Sequence, residues 1–99
     1  MVDHGVVWFS KDLRLVDNPA WNAAVSKCRR ITALFVVDPA IVEPAGPYRL
    51  AQLSAHLRAL DEELASAGGQ LWWRRGDPAS VVPHVVGEVE AGALYANAD

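Results

Sequence analysis

Residues 31–37, Ile-Thr-Ala-Leu-Phe-Val-Val, are apolar at every position except Thr32. Side chains alternate across a strand, so a strand of this composition has no face suited to water. It fits a parallel strand covered on both sides. The chain around it supplies what such a strand needs. Residues 5–9, Gly-Val-Val-Trp-Phe, are a second short apolar, β-branched run, and residues 70–75 and 93–97 read as a third and a fourth strand. In the third, Trp72 and Trp73 must point to opposite faces.

Helical patterns separate these runs. Asn18-Pro19 places a capping side chain before a proline whose fixed φ suits a first helical position, and predicts a short Ala-rich helix over 20–28. Arg29 and Arg30 are then expected at its negative pole. The leucines at 50, 53, 57, 60 and 64 alternate spacings of three and four, which predicts an amphipathic helix over 48–67. Gly68-Gly69 should end it. Asp77-Pro78 repeats the cap-and-proline signature, and Val81, Val82, Val85, Val86 and Val89 form a helical stripe. Pro83 interrupts that stripe, so its regular part is expected from about residue 83 after a looser turn. Asp38-Pro39 should stop the second strand, and the proline-rich stretch 40–47 reads as a loop. Four strands alternate with three helices, an α/β pattern with right-handed crossovers and a parallel sheet.

Composition narrows the function. Hydrophobic residues are 52% and charged residues 21% of the 99, which suits one globular domain. No apolar run approaches a membrane span and residues 1–4 do not resemble a signal peptide, so a cytoplasmic protein with no membrane partner is expected. Nine basic against twelve acidic side chains give a net charge of −3. This is not the basic surface of a self-sufficient DNA-binding module. The single cysteine, Cys28, excludes an internal disulfide and reads as a small hydrophobe near a helix end. His56 and His84 read as solvated helix positions and His4 as part of a frayed terminus, none of them catalytic. No Gly-x-Gly-x-x-Gly follows the first strand, and no Walker loop is present. Arg14 and Asp17, in the loop 10–17, are expected to pair and anchor that loop.

Val7-Trp8-Phe9-Ser10-Lys11-Asp12-Leu13-Arg14-Leu15-Val16-Asp17-Asn18-Pro19 resembles the opening of DNA photolyases and cryptochromes. Further matches follow in order at Leu34 to Pro39, at Arg49 with its leucine helix, at Arg75-Gly76-Asp77-Pro78 and at Tyr95-Ala96-Asn97. The resemblance covers residues 6–99. Ser10 and Lys11 stand where the family has two arginines, and neither reproduces a bidentate guanidinium. Ala98 stands where the family usually has arginine or glutamine.

The resemblance implies a Rossmann-like, three-layer α/β unit whose open parallel sheet has strand order 3-2-1-4, with helices on both faces. The family's fifth strand and its helical FAD-binding domain are expected to be missing, leaving 1–99 as an incomplete N-terminal domain. In the family this domain can hold an antenna chromophore, a deazaflavin, folate or flavin, which passes light energy to the FAD that donates an electron to a pyrimidine dimer. Carried over residue by residue, a deazaflavin-like antenna would meet Lys11, Leu13, Phe35, Asp38, Arg49 and Asp99 around the crevice where strand order reverses. Much of the folate contact set would lie beyond residue 99. Trp21, Trp72 and Trp73 read as core or interface aromatics and not as an electron-transfer chain. Photolyase activity is not expected of these 99 residues alone. The open edge of the fourth strand is expected to pair with a second copy, giving a homo-oligomer. The alternative is a nucleotide-binding or self-associating module of the same fold.

Overall fold

The computed structural model describes residues 1–97. Strand β1 (Val2–Phe9) leads into α1 (Pro19–Lys27), β2 (Cys28–Val37), the single-turn α2 (Pro39–Val42) and the long α3 (Pro47–Ser66). Then come β3 (Leu71–Arg75), α4 (Pro78–Glu88) and β4 (Ala93–Tyr95). All pairings are parallel, and the strand order is β3-β2-β1-β4.

The strand period of two sorts the core into two layers. Val7, Phe9, Ala33, Phe35 and Leu71 point to one face and meet Ala20 and Ala24 of α1 with Leu57, Leu60 and Leu64 of α3. Val6, Leu34 and Val36 point to the other and meet Val82 and Val85 of α4. The first two long crossovers therefore share a face, and the third covers the opposite one. Trp72 packs with the α4 layer, and Trp73 lies beside Leu57 and Arg58 on the α3 side. Each fully buried leucine of α3 contributes roughly 1.5–3 kcal/mol of burial. Leu50, the first of the stripe, is 37% exposed.

The helix ends follow local chemistry. Asn18, Asp38 and Asp77 each accept a hydrogen bond from a backbone N–H of the helix they cap, and a proline follows each. At the end of α3, Gly68 has φ +89°, its N–H donates to Ala65 O, and Gly69 N–H donates to Leu64 O at 2.7 Å. This closes the last turn with a left-handed residue that only glycine adopts cheaply.

Four expectations need correction. The stretch 40–47 is not all loop, because Asp38 caps a helical turn within it. α1 ends at Lys27, and Arg29 and Arg30 belong to β2, where pairing with β1 extends the ladder down to Val2↔Cys28. Arg30 instead pairs with Asp3 at 2.6 Å and holds that carboxyl below its ordinary range. His4 is not frayed, since it sits within the ladder with Nε2 2.7 Å from Thr32 Oγ1. Finally, α4 is continuous through Pro83 from Pro78 onward. The ring is exposed, and the packing of Val82 and Val85 outweighs the one hydrogen bond it removes. No helix among the described residues is long and apolar enough to cross a membrane.

Candidate functional site

Ligands of open α/β sheets gather at the carboxyl ends of the strands. At that end a cavity of about 190 Å³ is lined by Trp8 and Ser10 from β1 and its following loop, and by Phe35 and Val36 from β2. Asp38, Ile41 and Val42 enclose it from α2, with Leu53 of α3 and Pro78 of α4 completing the wall. Each element has a reason to be there. Trp8 and Val36 point to the α4 face and Phe35 to the α3 face, so the cavity straddles the end of the sheet. Asp38 Oδ1 accepts from Ala40 N at 3.0 Å, which turns the chain over the opening and brings Ile41 and Val42 across it. The lining is mostly apolar and carries two large aromatic rings. Its one ionisable side chain is an acid already engaged in capping.

Phe35 and Asp38 are thus placed where a ligand could meet them. Lys11 is exposed on the β1–α1 loop, next to the Ser10 that lines the cavity. Leu13 is partly buried against the core of α1 and α3. Arg49 is exposed in the first turn of α3. Asp99 lies outside the described residues. Trp8, Ile41 and Val42 carry no motif that marks them as site residues, and Ser10 and Leu53 stand out in the sequence only as a departure from the family and as part of the leucine stripe. Trp8, Ser10, Ile41 and Val42 share a positional signal, since each lies at a strand end or in the first turn after one.

On the other side of β1, at the switch in strand order, a polar network ties the loop 10–17 to α1 and to the end of β4, beside an open hollow of about 530 Å³ lined by Asp12, Ala20, Tyr95 and Asn97. Asn18 is 1% exposed. Its Oδ1 accepts from Trp21 N at 3.1 Å, and its Nδ2 donates to Arg14 O at 2.9 Å and Asp12 O at 3.3 Å. Asn97, just beyond β4, donates from Nδ2 to Asn18 Oδ1 at 2.8 Å and to Asp12 Oδ2 at 3.4 Å, and accepts from Ala20 N at 2.9 Å. Leu15 N donates to Glu63 Oε2 of α3 at 3.1 Å. The loop 10–17 is therefore held by amides and a glutamate. The expected Arg14–Asp17 pair is not among the ion pairs of the described residues, and Arg14 Nε donates to Val16 O. Asp17 takes φ +53°, which turns the loop back toward its cap.

This network also decides what the start of α1 can bind. Pro19 has no N–H, Ala20 N is held by Asn97, Trp21 N by Asn18 Oδ1 and Asn22 N by Asn18 O. The donors that a helix start offers to a phosphate are all used.

Among known proteins, the family model of DNA photolyase matches residues 5–99. The deoxyribodipyrimidine photo-lyase of Streptomyces griseus is 43% identical over 93 residues, which are 91% of this chain and 20% of that protein. That of Synechococcus is 35% identical over 94 residues, 93% of this chain and 19% of its own. Cryptochrome DASH of Gloeobacter violaceus is 33% identical, with 91% and 19% covered. The chain spans about a fifth of the length of these relatives. The archaeal photolyase of Sulfolobus tokodaii superposes with a TM-score of 0.85 at 31% identity, over 97% of this chain and 23% of that one. Its crystal structure holds two FAD molecules and is described as implying a novel light-harvesting cofactor. The class III photolyase of Agrobacterium tumefaciens gives a TM-score of 0.86 at 30% identity, over all of this chain and 20% of that one.

Proposed function

Since this chain belongs to the DNA photolyase family, we propose that it forms the α/β unit of a light-dependent repair or light-sensing protein and takes an antenna chromophore at its carboxyl-end crevice. The observation that carries this reading is the cavity that Trp8, Phe35 and Leu53 line at the ends of β1 and β2. Flat apolar walls with aromatic rings suit the edge of a planar ring system. A flavin or deazaflavin ring answers that description better than a folate, whose glutamate tail would meet Asp38 as the ionisable group of the lining. Lys11 and Arg49 stand exposed at the same end of the sheet and supply positive charge for an anionic tail. When bound, the chromophore would absorb near-visible light and pass the energy on. The chain's own part is to hold the ring, exclude water from it and fix its orientation.

Electron donation to a pyrimidine dimer, and the FAD that performs it, belong in this reading to the four-fifths of the relatives that this chain does not match. DNA binding is assigned there too, because a net charge of −3 gives this unit no electrostatic footprint of its own. The competing reading, an adenine nucleotide held by its phosphates at the start of α1, is disfavoured by the occupied amides described above.

The test is the absorption spectrum from 300 to 500 nm of natively purified protein, with intact mass, followed by titration with riboflavin, FAD and a synthetic 5-deazaflavin. The expected result is a co-purified band, or saturable binding that Phe35→Ala weakens at least tenfold. A colourless protein that binds none of the three would overturn the reading.

A further inference from the structure

The loop that begins with Ser10 at the wall of the crevice is tied down from the opposite side of β1. Asn97 reaches it from the end of β4, 85 residues from Asp12 in sequence and 79 from Asn18. Its single amide group serves three partners that differ in kind, a carboxylate, a buried side-chain amide and a backbone N–H. The two donors and one acceptor must face as they do. Asp12 Oδ2 and Asn18 Oδ1 can only accept in this arrangement, and Ala20 N can only donate.

We infer that Asn97 is a positioning residue for the crevice, fixing from the edge strand the β1–α1 loop whose first residue forms part of the binding wall. This rests on the reading that the crevice holds a chromophore, but the latch itself has a ligand-free consequence. The side chain of Asp12 is half-buried and follows Lys11 directly, so releasing it loosens the segment from Ser10 onward, while Asn18 still holds the Asp12 carbonyl. Leu13 and Leu15 remain packed on the core and keep the loop from detaching altogether. The expected effect is a loosened wall on an intact sheet.

The chemistry suggests its own control. Asn97→Asp keeps the acceptor toward Ala20 but sets a carboxylate oxygen against two other acceptors. Adding Asp12→Asn restores a donor on the other side of the contact. The experiment is amide hydrogen exchange over residues 10–17, with riboflavin and 5-deazaflavin affinity measured on the same samples. In N97D, exchange from Leu13 to Asp17 should speed at least tenfold while Val6, Val7, Leu34 and Val36 stay protected, and affinity should fall at least tenfold. The D12N/N97D double variant restores the contact at residue 12 but leaves a carboxylate against Asn18 Oδ1, so it should recover part of both. Unchanged loop exchange in N97D, or loosening that leaves affinity intact, would overturn the inference. If the unsubstituted protein is colourless and binds none of riboflavin, FAD and 5-deazaflavin, the chromophore reading fails and the exchange result alone decides the latch. Should N97D not fold, Asn97→Ala replaces it. The same loop loosening is then expected, with no rescue by Asp12→Asn, and a protected loop again counts against the latch.

Discussion

Asn18 concentrates several tasks in one buried side chain. It caps α1, holds the carbonyls of Asp12 and Arg14, and receives Asn97. Asn18→Ala would lose the cap and leave two part-buried carbonyls and the Asn97 amide short of a partner. A loss of about 2–3 kcal/mol is expected, read as a lower urea midpoint with an unchanged slope. A smaller loss than a simple surface cap would show that water replaces the network. Part of this was legible in the sequence, because Asn-Pro before an Ala-rich run states a cap directly. The role of Asn97 was not, since a residue that acts across a sheet leaves no local pattern. The same limit explains the Arg14–Asp17 pair. Opposite charges three apart suggest an ion pair, but the loop turns so that neutral amides reach the carbonyls first.

Among the elements, α2 shows a cap signature that outweighs the prolines around it. Asp38-Pro39 carries the same cap-and-proline signature as Asp77-Pro78, yet the prolines that follow read as loop. The turn forms anyway and closes over the crevice, so an element of four residues supplies two of the cavity's lining side chains, Ile41 and Val42, and its cap Asp38 a third. Strand ends were misjudged for another reason. The polar composition of Asp3, His4, Arg29 and Arg30 hides a strand that the ladder with its neighbour extends. The leucine helix and both sheet faces were readable because period and burial agree along their length. α4 carries a residue that its own helix would not choose. Pro83 is exposed and removes the hydrogen bond to Ala79 O, so Pro83→Ala should stabilise the protein. An interior proline costs ~3 kcal/mol relative to alanine, and the stiffer unfolded chain returns under ~1 kcal/mol of that. A rise in Tm of several degrees is the outcome to look for. No rise would mean that α4 is locally strained only on paper and that the first turn bends freely around the ring.

At the scale of the molecule, the sheet has two unequal margins. β3 carries Arg74 and Arg75, paired to Glu88 and Glu43, and charged side chains guard an edge against pairing. β4 is three residues long, pairs with Gly5, Val6 and Val7 on one side, and leaves Leu94 46% exposed. Beside it a hollow of about 530 Å³ runs along α1, lined by Ala20, Ala23, Tyr95 and Asn97. We propose that the 99-residue chain associates with a second copy along this margin. Sedimentation should give a mass above 10.7 kDa that rises with concentration and falls back for Leu94→Lys. A concentration-independent monomer would refute the pairing.

The pairing of β4 with β1 also sets an order of events. Gly5 meets Ala93, so the first strand waits for almost ninety residues before its second neighbour exists. Contacts of that span carry a loop-closure cost before they return anything, and they slow folding. During synthesis, β1, β2 and both helices of the first face can assemble while the ribosome is still making the rest. The loop at the crevice cannot be set until Asn97 has left the exit tunnel. A nascent chain would thus have its hydrophobic floor early and the wall of its crevice last, and under the proposed reading a chromophore added before that moment would find no finished place to rest.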